Sequence, residues 1–219
     1  MSSELTNFNA ASSAPAFANQ QGFELAQRIA KALSSSDLVP IAYKGNVSNC
    51  LVAIEYSHRV NMSVLAVMQN LHIIHGKPSP SSAFIIAAIN TCGRFAPLKY
   101  RLSGEGDAMR CVAWTTDASG EVLESPPSSI EMAKKEGWYG RSGSKWQSMP
   151  ELMLRYRAAA FFGRLYAPEI IMGMHSTEES EDMRVQPVHS ANTGLNALRE
   201  QPDPTTNDGI QDAEIVDMQ

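Results

Sequence analysis

The side chains of this chain best suited to bind a charged ligand are concentrated between residues 144 and 166. Trp146 is followed there by Arg155, Arg157 and Arg164. Arg157 and Arg164 are seven residues apart, which on a helix is about 10 Å along the axis and nearly the same face. This spacing suits contact with an extended phosphate backbone. The alternative is a core helix whose arginine side chains run along its surface to reach solvent.

Further cations along the chain extend this candidate nucleic-acid surface. Lys99 and Arg101 alternate on one predicted strand face, and Lys77 lies in a glycine- and proline-containing loop. Cations hold phosphates, and an aromatic ring can stack on bases without reading their sequence. For Trp146 the alternative is packing against a sheet. The predicted DNA-binding set is Lys77, Lys99, Arg101, Lys145, Trp146, Arg155, Arg157 and Arg164.

Enzyme chemistry has weaker support in the sequence. A hydrolytic site would have to combine His72 and His75 with Cys92 or Cys111, but no acidic residue lies nearby in sequence to orient a histidine. The nucleophile-elbow and HExxH motifs are absent. So are the phosphate-binding loop of ATPases and the Rossmann glycine fingerprint. We therefore predict no catalytic residue, no cofactor and no ATP hydrolysis.

The charge of the chain is unevenly distributed. The formal net charge is −5, which taken alone argues against a polyanionic partner. Ten acidic and two basic residues follow His175, whereas 16 basic and 13 acidic residues precede it. A body of net charge +3 with a tail of net charge −8 is typical of polyanion binders whose tail competes with the ligand or docks a partner. The alternative is a tail that only keeps the protein in solution.

The cysteines and the hydropathy pattern indicate a compartment. Cys50, Cys92 and Cys111 are widely separated and form no CxxC or Cys/His spacing, so we predict reduced thiols and no metal site. A secretory signal pattern and an apolar run of bilayer length are also absent from the sequence. The predicted location is therefore the cytoplasm, with no membrane partner.

Helical and strand signals alternate along the chain and predict an α+β fold with a small antiparallel meander packed against several helices. Helical spacing begins at Gly22, and a second helix fits residues 47–60. The Ser148/Glu151 pair is a capping box, so the longest helix is expected to begin there and to end at Pro168. Predicted strands cover residues 71–75, and then 98–102, 109–116 and 121–123 as the meander.

Composition divides the chain into three predicted segments. Residues 1–21 are rich in Ser, Ala and Asn and are expected to be disordered. Residues 22–174 form the predicted core domain, which ends with the long helix. Residues 175–219 are polar, acidic and proline-containing, and we expect a disordered tail.

The segment from Lys145 to Leu165 resembles the hallmark segment of the RecT/Beta family of phage single-strand annealing proteins (recombinases). Both run Trp-Gln-Ser-x-Pro, then Met-Leu-Arg, a basic residue, alanine and a later Arg-Leu. Residues 46–95 are similar to the family's central region, so the likeness covers residues 22–174. The chain departs from the motif at Glu151 and Leu152, where basic residues are expected, and this implies a lower charge in the binding groove.

The resemblance implies a role in homologous recombination and DNA repair. Such proteins anneal complementary DNA strands without ATP, as rings or filaments that hold DNA in a basic groove. Arg155 and Arg157 match the basic positions of the motif, Arg164 matches its later arginine, and Lys77 falls near a groove lysine. The implied partners are single-stranded DNA, nascent duplex, further copies of the chain, and a phage exonuclease or a host single-strand-binding protein.

Two alternatives remain open at this point. The chain is either an annealing protein or a phage structural or scaffold oligomer that does not bind nucleic acid. Residues 211–219 mix acidic and apolar side chains. They would dock on a replication partner, shield the groove before DNA arrives, or form a disordered end.

Overall fold

The fold is α+β, as the sequence predicts, and contains two small antiparallel sheets. A computed structural model describes residue 17, residues 19–74 and residues 76–183. Helices precede, separate and follow the sheets. The elements are α1 (Gln20–Ser34), α2 (Val47–Val60), α3 (Val64–Asn70), β1 (Leu71–Ile74), β2 (Lys77–Pro80), α4 (Ser82–Thr91), β3 (Lys99–Ser103), β4 (Arg110–Thr116), β5 (Val122–Glu124), β6 (Ser128–Ser129), α5 (Ile130–Lys135), α6 (Lys145–Ser148), α7 (Pro150–Tyr166), α8 (Pro168–Ile171) and α9 (Thr177–Asp182).

The first two helices begin and end at residues that suit those positions. The Asn19 side chain accepts a hydrogen bond from Gly22 N at 2.8 Å, and that of Asn46 accepts one from Asn49 N at 3.0 Å. Each satisfies one of the free amide groups of a first helical turn. Asn61, with φ of 50°, ends α2 in the left-handed region that asparagine tolerates. The predicted helix at residues 47–60 is confirmed.

The larger sheet is the predicted meander. Its strand order is β3-β4-β5, and β6 pairs with the opposite end of β4. Lys99 pairs with Trp114 and Arg101 with Val112 across the β3–β4 ladder. Alternate residues of β4 are buried against α7, beginning with Cys111. The intervening residues of β4 face away from the core, because successive side chains point to opposite faces of a sheet.

The long helix α7 begins at Pro150, whose missing amide proton is tolerated in a first turn. The predicted capping box is wrong: Met149 precedes the helix without a side-chain cap, and Ser148 is the last residue of α6. Ser144 caps α6 instead, since its hydroxyl accepts a hydrogen bond from Trp146 N at 3.3 Å. The apolar positions of α7 pack against β4 and α4 and complete the core.

The folded body extends beyond the predicted boundary at residue 174. Residues 177–182 form α9, which contacts β1 and β2, and Ser176 and Glu179 cap it reciprocally. The first residues of the predicted disordered tail are therefore helical, and Ser176, Glu179 and Asp182 are buried. The rest of that tail and residues 1–16 lie outside the described residues. Among the helices of the described ranges, none has the length and apolarity needed to cross a bilayer.

Candidate nucleic-acid interface

Two charged features lie on the predicted binding segments, and the first is buried. It consists of Trp146, Arg157, Arg164, Glu179 and Asp182, here called the arginine cluster. Arg157 Nη1 donates to Glu179 Oε1 at 3.0 Å, and Arg157 Nη2 donates to Asp182. Arg164 donates to the second oxygen of Glu179, and Trp146 Nε1 lies 3.0 Å from Asp182 Oδ2. Two cations and an indole N–H thus converge on two carboxylates.

The two carboxylates respond differently to this environment. Burial alone would raise the pKa of Glu179, but the hydrogen bond from Arg164 and the charge of Arg157 bring it below its ordinary value. Burial raises the pKa of Asp182, and the hydrogen bond from Trp146 and the charge of Arg157 offset only part of that rise. The arginines therefore favour the charged form of Glu179 more strongly than that of Asp182.

The arginine cluster corrects two predicted DNA contacts. The Trp146 side chain is completely buried, at 0% exposure, and Arg157 is 7% exposed. Neither reaches a DNA strand in this conformation, because both are enclosed by the body and engaged by carboxylates of α9. Trp146 is a packed core residue, whose ring centroid lies 5.7 Å from that of Trp138. The Arg164 side chain is 32% exposed and is also engaged by Glu179.

The second feature is open to solvent and lies on the outer side of the larger sheet. We call it the sheet face and define it as Lys99, Arg101, Arg110 and Trp114. Lys99 Nζ lies 5.1 Å from the centroid of the Trp114 ring, and Arg101 Cζ lies 5.9 Å from it. The three cations are exposed, and Trp114 is half-buried. Strand register therefore places Lys99 and Arg101 beside the half-buried indole on the β3 side, while Glu124 pairs with Trp114 from β5.

The cations of the sheet face are only lightly neutralised. Arg101 Nη2 lies 2.8 Å from Glu124 Oε1, but both side chains are exposed, so this ion pair contributes little and exchanges readily. Arg110 Nε donates to Ser103 Oγ at 3.1 Å. Within the described part of the chain, no carboxylate lies within 4.0 Å of Lys99 or Arg110. The side chains of Lys99 and Arg110 are therefore available to bind an anion.

The remaining predicted contacts are distributed over other elements. Lys77 is exposed on β2, in the separate two-stranded sheet. Lys145 Nζ lies 3.7 Å from a carboxylate oxygen of Glu181. Arg155 pairs with Glu151 one helical turn away, at 3.1 Å. Lys145 and Arg155 are partly exposed, and each has a surface carboxylate within ion-pair distance.

The groups weighed for hydrolysis have other surroundings. Cys111 is completely buried behind the sheet, where burial raises the pKa of its thiol to about 11. It is therefore a protonated core residue rather than a nucleophile. His72 is exposed on β1, Cys92 is half-buried after α4, and His75 lies outside the described residues. Among the side chains that the structure describes, no three His, Cys, Asp or Glu residues form a metal-binding group.

Four residues of these two features were missed in the sequence. Trp114 and Arg110 occupy alternate positions of β4, the same two-residue period that selected Lys99 and Arg101. That period was a usable signal. Glu179 and Asp182 had one signal, the Ser176-x-x-Glu179 spacing of a capping box, which predicts a helix but not its partner.

Comparison with known proteins adds no relative. No family model, no curated protein and no solved structure matches this chain.

Proposed function

We propose that the protein binds single-stranded DNA and anneals complementary strands without ATP, as a homo-oligomer acting in phage-type homologous recombination. The observation that carries this proposal is the sheet face, where the exposed Lys99 and Arg101 lie beside the half-buried Trp114 and Arg110 lies on the same face of β4. Exposed sheets that combine cations with an aromatic ring bind single strands, because cations hold phosphates and rings stack on any base. The resemblance of residues 145–165 to annealing proteins supports the same function.

The physical problem in annealing is that two strands repel each other and each is conformationally free. On the sheet face, Lys99 and Arg101 are two residues apart, which is about 7 Å along a strand. Neighbouring phosphates would meet this row of cations while one base stacks on Trp114. Once its phosphates are neutralised, the strand is held in an extended form. The bases that are not stacked on Trp114 remain available to pair with a complementary strand. Base pairing then provides the selection, and the protein supplies geometry.

Oligomerisation would repeat the sheet face along the strand. Each subunit would add its cations in register, so that affinity grows with strand length. No cofactor and no catalytic residue enters this scheme. The proposed partners are single-stranded DNA, the nascent duplex, further copies of the chain, and a phage exonuclease or a host single-strand-binding protein that delivers or clears the strand. Cytoplasmic location is part of the same proposal.

The decisive experiment removes the cations of the sheet face and measures binding to labelled single-stranded DNA at several salt concentrations. In the variant Lys99→Ala/Arg101→Ala/Arg110→Ala we expect weaker binding to all sequences. We also expect the slope of log affinity against log salt to fall by about 2, since each phosphate contact to a single strand contributes about 0.7. Annealing of complementary oligonucleotides without nucleotide should slow in parallel.

A charge-matched control is available on α1 and on the connection between α1 and α2. Arg28, Lys31 and Lys44 are exposed, and Arg28→Ala/Lys31→Ala/Lys44→Ala removes the same charge from elsewhere. This control should retain the wild-type salt slope. Equal losses in both triple variants would show that only net charge matters and would remove the sheet face from the proposal. A wild-type protein that oligomerises but does not bind DNA would establish the scaffold alternative.

A further inference from the structure

Helix α9 is attached to the body almost entirely through polar groups. Its buried residues, Glu179 and Asp182, are both charged, and both accept hydrogen bonds from Arg157. Glu178 Oε2 accepts hydrogen bonds from Ser82 N at 3.0 Å and from Ser82 Oγ at 2.7 Å, at the first turn of α4. An attachment made of carboxylates can be replaced by another polyanion, whereas an attachment made of apolar surface cannot.

Three of the four carboxylates of α9 thus accept hydrogen bonds from three sets of donors on the body. Glu178 accepts hydrogen bonds from Ser82 at the beginning of α4, and Glu179 accepts them from both arginines. Asp182 accepts them from Arg157 and from the indole of Trp146. Guanidinium groups and amides at a helix N-terminus are the donors that proteins use for phosphates. The row of sites beneath α9 therefore matches a chain of anions in its chemistry.

The charge distribution agrees with this arrangement. Residues 1–183 carry 16 basic and 17 acidic residues, a net charge of −1. Four of those acidic residues are on α9, and without them the net charge is +3. Helix α9 therefore carries the acidic excess of residues 1–183 and places it over the two arginines.

We propose that α9 is a removable acidic cover: its carboxylates fill a phosphate-binding row formed by Ser82, Arg157, Arg164 and Trp146, and a DNA strand displaces it. This inference rests on the proposed function and adds a second binding surface to the sheet face. The covered state keeps the row from binding unrelated anions. Displacement exchanges carboxylate–guanidinium pairs for phosphate–guanidinium pairs, so the arginines are never left unpaired.

A reversible covalent lock tests the cover in the full chain. Ser79 Oγ and Ser180 Oγ are 3.1 Å apart, on β2 and α9, so Ser79→Cys/Ser180→Cys brings two sulfurs within reach of a disulfide. Cys92→Ser in the background removes the half-buried thiol. In the oxidised variant the disulfide holds α9 against β2. In the reduced variant the disulfide is open and α9 can leave the body. We expect reduction to raise affinity for single-stranded DNA at least about tenfold and to steepen the salt slope by about 1.4, for two further arginine contacts.

The background variant alone, oxidised and reduced, is the control and should not change. Equal binding by the locked and unlocked forms would overturn the cover while leaving the proposed function intact. If neither form binds DNA, the proposed function fails, and the cover fails with it. Mass spectrometry of the oxidised sample confirms the cross-link before binding is measured.

A matched pair of glutamine variants tests the same proposal without a disulfide. Glu179→Gln and Glu181→Gln each neutralise one carboxylate of α9. Glu179 pairs with Arg157 and Arg164, whereas the Glu181 carboxylate pairs with Lys145. We expect Glu179→Gln to raise DNA affinity about tenfold and Glu181→Gln to leave it within about twofold, as charge-assisted contacts dominate such sites. The same change in both variants, or none in Glu179→Gln, contradicts the cover.

Discussion

The guanidinium group of Arg157 lies over the indole of Trp138, with its carbon atom 3.8 Å from the ring centroid. One planar cation is thus held on its face by an aromatic ring, while its edge donates to Glu179 and Asp182. Both contacts restrict the same side chain, so its donors are oriented before any ligand arrives. Arg157 is at once a structural residue of the body and a pre-oriented anion-binding group.

Arg157 is expected to contribute strongly to stability. Replacing it with Ala leaves the buried Asp182 without its cation and Glu179 with Arg164 alone. Breaking a buried pair in this way costs about 3–5 kcal/mol of the free energy of unfolding in comparable cases. The measurement is urea denaturation followed by circular dichroism. Arg155→Ala is the matched control on the same helix. Because Arg155 forms an exposed pair with Glu151, its loss should cost under about 1 kcal/mol; equal losses would contradict the assignment.

Trp114 should contribute to binding rather than to folding. Stacking of one base on an aromatic ring is worth about 1–3 kcal/mol by alanine substitution, so Trp114→Ala should weaken single-stranded DNA binding roughly 5- to 150-fold. The salt slope should stay unchanged, because no cation is removed. Trp114→Phe retains a ring and should recover most of the affinity. Full affinity in Trp114→Ala would exclude the indole from the interface.

The connection between β3 and β4 should be sensitive to a single methyl group. Gly104 has φ of 79°, and a Cβ there would lie 2.3 Å from the backbone oxygen of Ala108. Gly120 connects β4 to β5 with φ of 86°, but a Cβ there meets nothing within 4 Å. Both alanine variants suffer the left-handed strain of about 1–2 kcal/mol, and only Gly104→Ala adds a clash.

We expect Gly104→Ala to lose at least about 1 kcal/mol more stability than Gly120→Ala, measured by thermal and urea unfolding. The sheet face should also bind DNA less well in Gly104→Ala, since this connection sets the register of Lys99 and Arg101 against Trp114. Indistinguishable stabilities for the two variants would show that the β3–β4 connection relaxes without cost.

Alkaline pH should destabilise the fold through its buried phenols. Burial, with a smaller effect of the charge of Cys50, raises the pKa of Tyr43 to about 12, and its hydroxyl donates to the Leu71 carbonyl. An unfolded tyrosine ionises near pH 10, so between about pH 10 and 12 the unfolded state loses a proton that the folded state keeps. The free energy of unfolding should therefore fall as pH rises through this window, and below the window it should not change with the ionisation of Tyr43.

Tyr43→Phe checks this pH dependence. The variant loses the hydrogen bond to Leu71 and is less stable at neutral pH, but its stability should decline less steeply between pH 10 and 12. Tyr56 and Tyr100 also have pKa values raised by burial and should maintain part of the decline. Parallel curves for the wild type and Tyr43→Phe would contradict the assignment of this proton to Tyr43.

Local features of the fold were readable in the sequence because short-range contacts produce them. The period-two pattern around Lys99 and Trp114 belongs to one ladder, and Pro150 begins α7 through its own covalent structure. The capping box at Ser148 failed for a related reason. The preceding residues form α6, and this short helix places Ser148 at its end rather than before α7.

By itself, the sequence determined the fold class, most strand and helix positions, and the set of cations able to hold a phosphate. Only the tertiary structure decided which of those cations are free. Arg157 and Asp182 are 25 residues apart, and Trp146 and Asp182 are 36 apart. No local pattern encodes such pairs, because a guanidinium is equally compatible with a carboxylate of its own chain and a phosphate of a ligand. Burial and the docking of α9 make that choice, and both depend on the whole folded body.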